Sequence, residues 1–154
     1  MIISLLEALR DTITEAVKEF RLPVKKGESR APVVYINDLP PTQSGGALID
    51  QFPFVIVRAN NGKANRYEAG AETTVVIIIG AYSGEFDADS YCINVMERIQ
   101  HTLFTLPDDT LADTYIMQEE VDWTLHNEDY SPQCQIDMYT TWTHGAAQVV
   151  CQHE

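Results

Sequence analysis

Positive charge is scarce in this sequence: 10 lysines and arginines stand against 23 aspartates and glutamates, for a formal net charge of −13. A surface of that sign repels phosphate, which argues against nucleic-acid binding as a property of the whole chain. It also favours solubility, whatever the role. Cysteine is scarce as well. Cys92, Cys134 and Cys151 are odd in number and form no disulfide framework, so free thiols of a reducing cytosol account for them. Apolar runs are short; none approaches the roughly 20 residues that a membrane-spanning helix needs. The apolar N-terminus lacks a basic leader, and Glu7, Arg10 and Asp11 interrupt it at helical spacing. It reads as a folded helix and not as a targeting segment.

The usual marks of chemistry are also missing. Ser44-Gly45-Gly46 is too short to cradle a phosphate, and no Lys-Ser/Thr follows it. There is no Gly-x-Ser-x-Gly elbow, and basic residues do not interleave with aromatics as a nucleic-acid platform requires. Cys151 and His153 are the nearest approach to a metal pair, but a closed zinc site needs four ligands. Cys134 and His144 fall on one strand parity facing the core, where a hydrogen-bonded histidine, or one in solvent at the strand end, fits better than a ligand. Cys92 and His101 share a helix at a spacing of about 13.5 Å, too far for proton transfer. Glu119 and Glu120 are neighbours on an expected strand and point to opposite faces. Glu119 interrupts the inward set there, and an inward carboxylate needs a partner such as an arginine or a neighbouring subunit. No catalytic residue, cofactor or metal is therefore expected.

What the chain does have is a run of β-branched residues. In residues 73–82, TTVVIIIGAY, Val75, Val76, Ile77, Ile78 and Ile79 stand in a row. Branching at Cβ suits a pleated strand. An unbroken apolar run lacks the alternation of a strand with one wet face, so both faces should be covered. The chain offers two amphipathic helices for one face, which leaves the other to a neighbouring subunit.

The first helix is expected over residues 2–20, with Ile2, Leu5, Leu6, Leu9, Ile13, Ala16, Val17 and Phe20 on one stripe and Pro23 as the stop. Residues 31–37, APVVYIN, read as a short strand. Residues 38–51, DLPPTQSGGALIDQ, are the longest irregular stretch; partner contact and plain disorder are both open. A second apolar strand, residues 52–59, leads into a polar hairpin tip over residues 60–66, either a solvated turn or a docking finger. Asp87 is placed to cap a second helix running to about Leu106, with Tyr91, Cys92, Val95, Met96, Ile99, Leu103 and Leu106 on its stripe. Two alternating strands follow. Residues 115–126 turn Tyr115, Met117, Val121, Trp123 and Leu125 inward; residues 133–144 do so with Cys134, Ile136, Met138 and Trp142. The tail, residues 145–154, has no pattern and is expected to fray. The expected fold is α+β, a single domain over residues 1–154. It has a mainly antiparallel sheet of about five strands with both helices on one face, in the order αβββαββ.

This order, with FPFVIVR before a polar hairpin, the direct passage from strand to helix in TTVVIIIGAYSGEFDADSYCINVMERIQHTLF, and the strands VDWTLHNEDYSP and MYTTWTHG, resembles the small tail-terminator or tail-completion proteins of long-tailed bacteriophages and prophages. The likeness covers residues 2–144. It implies a non-enzymatic structural protein of the virion, made in the bacterial host cytoplasm. Subunits of that family form a ring, commonly a hexamer, at the head-proximal end of the tail tube. The ring ends tube polymerisation and meets the head connector, while genome DNA passes through it without specific binding. An acidic bore would repel that DNA and keep it moving. The family has no fixed motif to carry over. The expected contacts are therefore the irregular stretch, at Pro40, Pro41, Gln43 and Leu48, and the hairpin tip, at Asn60, Asn61, Lys63 and Arg66. Partners would be further copies of the chain, the tube protein and the connector, with no membrane. Two alternatives stand beside this reading: a neighbouring head-completion or neck protein, and a small α+β enzyme or ligand-binding domain with a deep polar pocket.

Overall fold

The β-branched run becomes the middle of β3 (Ala71–Tyr82), the central strand of a six-stranded sheet. The computed structural model describes residues 2–40, 51–64, 66, 71–127 and 131–144. On one side β3 pairs antiparallel with β2 (Phe54–Lys63), which pairs parallel with β1 (Val33–Ile36). On the other it pairs antiparallel with β6 (Gln133–His144), whose far edge carries both β4 (Ile116–Met117) and β5 (Asp122–Asn127). With helices α1 (Ile2–Val17) and α2 (Ala88–Phe104), this is a mixed, mostly antiparallel α+β fold.

Alternation along β3 divides its side chains between two clusters. Val75, Ile77 and Ile79, with Val55, Val57, Ile136 and Met138, pack under Leu5, Leu6, Leu9 and Ile13 of α1 and Val95 and Ile99 of α2. Each such buried side chain contributes about 1.5–3 kcal/mol relative to exposure. Both helices thus share one face. α1 ends at Val17, before Phe20, and Ile2 is exposed instead of joining the stripe. Asp87 precedes α2, but its carboxylate accepts the Ser83 hydroxyl and caps no backbone N–H.

The opposite face corrects one expectation. Val76 and Ile78 are only 6% and 8% exposed in the single chain. Phe52, Phe54 and Ile56 bury them, with Tyr35, Leu39 and Tyr82 packed alongside. The centre of β3 needs no neighbouring subunit to cover it, because aromatic side chains from the adjoining strands fold over it.

Three further differences follow from chain connectivity and local pairing. β1 is parallel to β2, and a parallel pair needs a crossover of a dozen or more residues; the long stretch after β1 meets that need. Residues 60–63 are strand and not turn, since β2 pairs with β3 through Lys63↔Glu72. The single strand expected over residues 115–126 is broken into β4 and β5. Glu119 sits in an exposed bend between them, so its carboxylate faces solvent and needs no inward partner. Trp123 keeps the expected parity, opposite Met138, but lies on a strand at the sheet's margin and is 47% exposed.

Candidate functional site

The expected contact residues divide three ways. Pro41, Gln43 and Leu48 lie outside the described residues, as do Cys151, His153, residues 145–154 and the side chain of His144. Pro40 is exposed at the base of the irregular stretch, where its carbonyl accepts the Gln51 side-chain amide at 2.8 Å. Arg30 secures the same base by donating to the carbonyls of Gln51 and Phe52 at 3.1 and 3.2 Å. Asn60, Asn61 and Lys63 are exposed at the end of β2, and Arg66 is exposed just beyond it.

A β-bulge organises that end. Ala59 pairs with Val75 and Asn61 with Thr74, so Asn60 is an extra residue on β2. Before the bulge the even positions Phe54, Ile56 and Arg58 face away from the helices. After it the odd positions do, so Asn61 and Lys63 join Arg58 on the outer face. Gly62 lies against β3 so closely that an added Cβ would stand 2.6 Å from the Glu72 carbonyl oxygen. Beside this ribbon a groove of about 450 Å³ runs past Ile2, Ala59, Ala64 and Ala71.

Arg58 was not among the residues expected from sequence. Its Nε donates to the Asn37 carbonyl at 2.7 Å, and a guanidinium nitrogen stands 3.7 Å from Asp38. It fastens the end of β1 to β2. The available signal was an arginine at a parity otherwise held by Phe54 and Ile56.

The outer face continues across the sheet as rows. Arg58 is opposite Val76, Val76 opposite Tyr139, and Tyr139 opposite Asp122. Lys63 is opposite Glu72, Glu72 opposite Thr143, and Thr143 opposite Ile116. Gln118 donates its side-chain amide to Glu72 at 3.1 Å and its backbone N–H to the Thr141 carbonyl at 2.8 Å. The face is therefore apolar under Phe52 and Phe54 and polar toward β5.

Polar groups also meet at the lower end of the sheet. A cleft of about 530 Å³ is lined by Phe52, Leu125, His126, Ser131, Gln133 and Gln135. Asp137 lies 3.1 Å from His126 Nε2 and accepts the Gln135 amide at 3.0 Å. Ser131 Oγ accepts the Gln133 N–H at 3.2 Å, and no hydrogen bond joins Ser131 to His126 among the described residues. Among the described residues no nucleophile bonds to this histidine–carboxylate pair, so the relay that acyl transfer needs is not assembled from them.

The two described cysteines, Cys92 of α2 and Cys134 of β6, are buried between the helix and the sheet. Cys92 Sγ donates to the carbonyl of Cys134 at 3.3 Å. Burial pushes both thiols up from the usual thiol range, which disfavours the thiolate that a nucleophile or metal ligand requires. Cys92 points into the sheet, whereas His101 is exposed. Among the described residues no three His, Cys, Asp or Glu side chains gather as a metal site, and no helix is long and apolar enough to cross a membrane.

No family model matches the sequence, and no curated protein matches it. Among solved structures, one similar chain belongs to the virion of a native gene transfer agent particle. It shares 13% identity and a TM-score of 0.45, over 72% of this chain and 78% of that one. A likeness at that level carries no argument about this chain's role.

Proposed function

We propose that this chain is a structural, non-enzymatic protein of a phage-like virion. As one subunit of a ring, a hexamer in the reading the resemblance implies, it caps the head-proximal end of the tail tube, ends tube growth and offers the joining surface for the head connector. The observation that carries the reading is the pair of unlike sheet margins. β2 exposes Ala59–Lys63 at one side, and β5 exposes Trp123 at the other. Exposed strand edges invite pairing with another chain, and contacts between unlike surfaces close into rings when the rotation per subunit allows.

The element order and the strand-to-helix passage through residues 73–104 support the same reading through their resemblance to tail terminators. On this reading the partners are further copies of the chain, the tube protein and the connector. DNA passes through without specific binding, and the protein resides in the virion after synthesis in the bacterial host cytoplasm.

The test is to add purified protein to growing tail tubes and measure tube length by electron microscopy, with mass measured by light scattering. Arrest of growth with a ring at one tube end is the expected result. Binding to filled heads with no effect on tubes would move the protein to the neck. A monomer that ignores both tubes and heads would overturn the proposal.

A further inference from the structure

Within that ring reading, on which this step rests, we infer which surfaces join: the open edge of β2 at residues 58–63 of one copy meets residues 116–122 of the next. β1 runs beside β2 only from Phe54 to Val57. The chain then turns away at Asn37, whose N–H donates to the Val57 carbonyl at 2.8 Å. From Arg58 onward the outer side of β2 has no strand paired to it among the described residues, and Ala59–Lys63 are exposed. Backbone groups on such an edge bond readily to an incoming extended segment.

The opposite margin supplies a segment at matching height. β4 pairs Met117 with Trp142, and Trp142 is level with Thr73 and Gly62. β5 begins at Asp122, level with Tyr139, Val76 and Arg58. Residues 116–122 therefore span the same rows of the sheet as the open stretch of β2. Directions also agree. β4 and β5 run antiparallel to β6, β6 to β3, and β3 to β2. A next copy laid in the same orientation presents its β2 antiparallel to β4 and β5, which continues the alternation.

Charge identifies a second copy of this chain as the occupant. No lysine or arginine follows Arg98 in the sequence, so β4, β5 and β6 themselves carry neither. Glu119, Glu120 and Asp122 form the exposed lip of this margin. The β2 edge holds Arg58 and Lys63, with Arg66 just past its end. Asp122 is level with Arg58, so in a chain of net charge −13 opposite charge at that height favours this pairing over edge-to-edge contact between like margins. The contact is heterologous, so each added copy leaves one edge of each kind open until the ring closes.

The test uses full-length Arg58→Glu and Asp122→Lys, the oppositely charged pair at one height, each checked for a native circular dichroism spectrum and cooperative melting. Mass is measured by sedimentation at low and high salt, with and without tail tubes. Wild type is expected to associate, less so at high salt. Each variant alone places like charges in contact and should lose about tenfold or more in association. An equimolar mixture of the two should regain assembly, because every contact in an alternating ring again joins opposite charges. Normal assembly of each variant alone, with tubes still capped, would overturn this contact and leave the ring reading standing. No recovery in the mixture would equally overturn it. Wild type that stays monomeric with and without tubes would overturn both.

Discussion

The ring of Phe54 lies directly across the backbone of Gly80: a Cβ built on Gly80 would stand 2.4 Å from Phe54 Cζ and 2.9 Å from Phe52 Cε2. The two residues are cross-strand partners, and the Phe52 and Phe54 rings meet edge to face at 4.7 Å. The missing side chain on β3 is the space the aromatic ring occupies, and that ring helps seal Val76 and Ile78 from water. The outer face around Val76 and Ile78 is therefore covered within the single chain.

Gly80→Ala should overpack this site and destabilise the protein by about 1–3 kcal/mol. The penalty should shrink in a Phe54→Leu background, where the ring is gone. Denaturant melts of the two single variants and the double variant measure the coupling; strictly additive effects would contradict the contact.

Thr140 is the polar residue within the inward set of β6. Its hydroxyl donates to the Val75 carbonyl at 3.0 Å and accepts the Trp142 indole N–H at 2.9 Å, all in full burial. Thr140→Val keeps the shape but leaves the indole N–H unpaired, at a cost of about 1–3 kcal/mol. Adding Trp142→Phe should make the Thr140→Val change less costly than it is alone. Denaturant melts followed by circular dichroism measure the two single variants and the double variant.

Arg58→Ala should cost about 1 kcal/mol, chiefly through the lost bond to the Asn37 carbonyl. Asp38→Asn should cost at most about 0.5 kcal/mol, because the ion pair is solvent-exposed. Equal losses for the two variants in thermal melts would assign the link to the ion pair instead.

Burial raises the Cys92 and Cys134 thiols above their unfolded values. The folded state thus holds protons that the unfolded state releases as pH rises past the ordinary thiol value of about 8.5. Stability from this source is complete below that pH and falls above it. In a Cys151→Ser variant, the unfolding midpoint should drop between neutral pH and alkaline conditions, and Cys92→Ala/Cys134→Ala should flatten that dependence. Thiol reagents should modify Cys92 no faster than the chain opens.

Periodicity was enough for both helices and for β6, since Leu5, Leu9 and Ile13, or Ile136, Met138 and Trp142, repeat at the spacing their elements impose. It failed where partners lie far along the chain. The sequence alone required that Val75–Ile79 be covered on both faces, because no register of a strand exposes so continuous an apolar run without penalty. Tertiary structure decided what does the covering: Phe52 and Phe54 reach across Gly80, a contact set by strand register. It also decided that an extra residue at Asn60 turns Asn61 and Lys63 to the face of Arg58, and that the strand after Met117 breaks so that Glu119 meets solvent. Local pattern encodes which side chains must leave water; only the pairing of distant strands settles which neighbours receive them and which edges stay open.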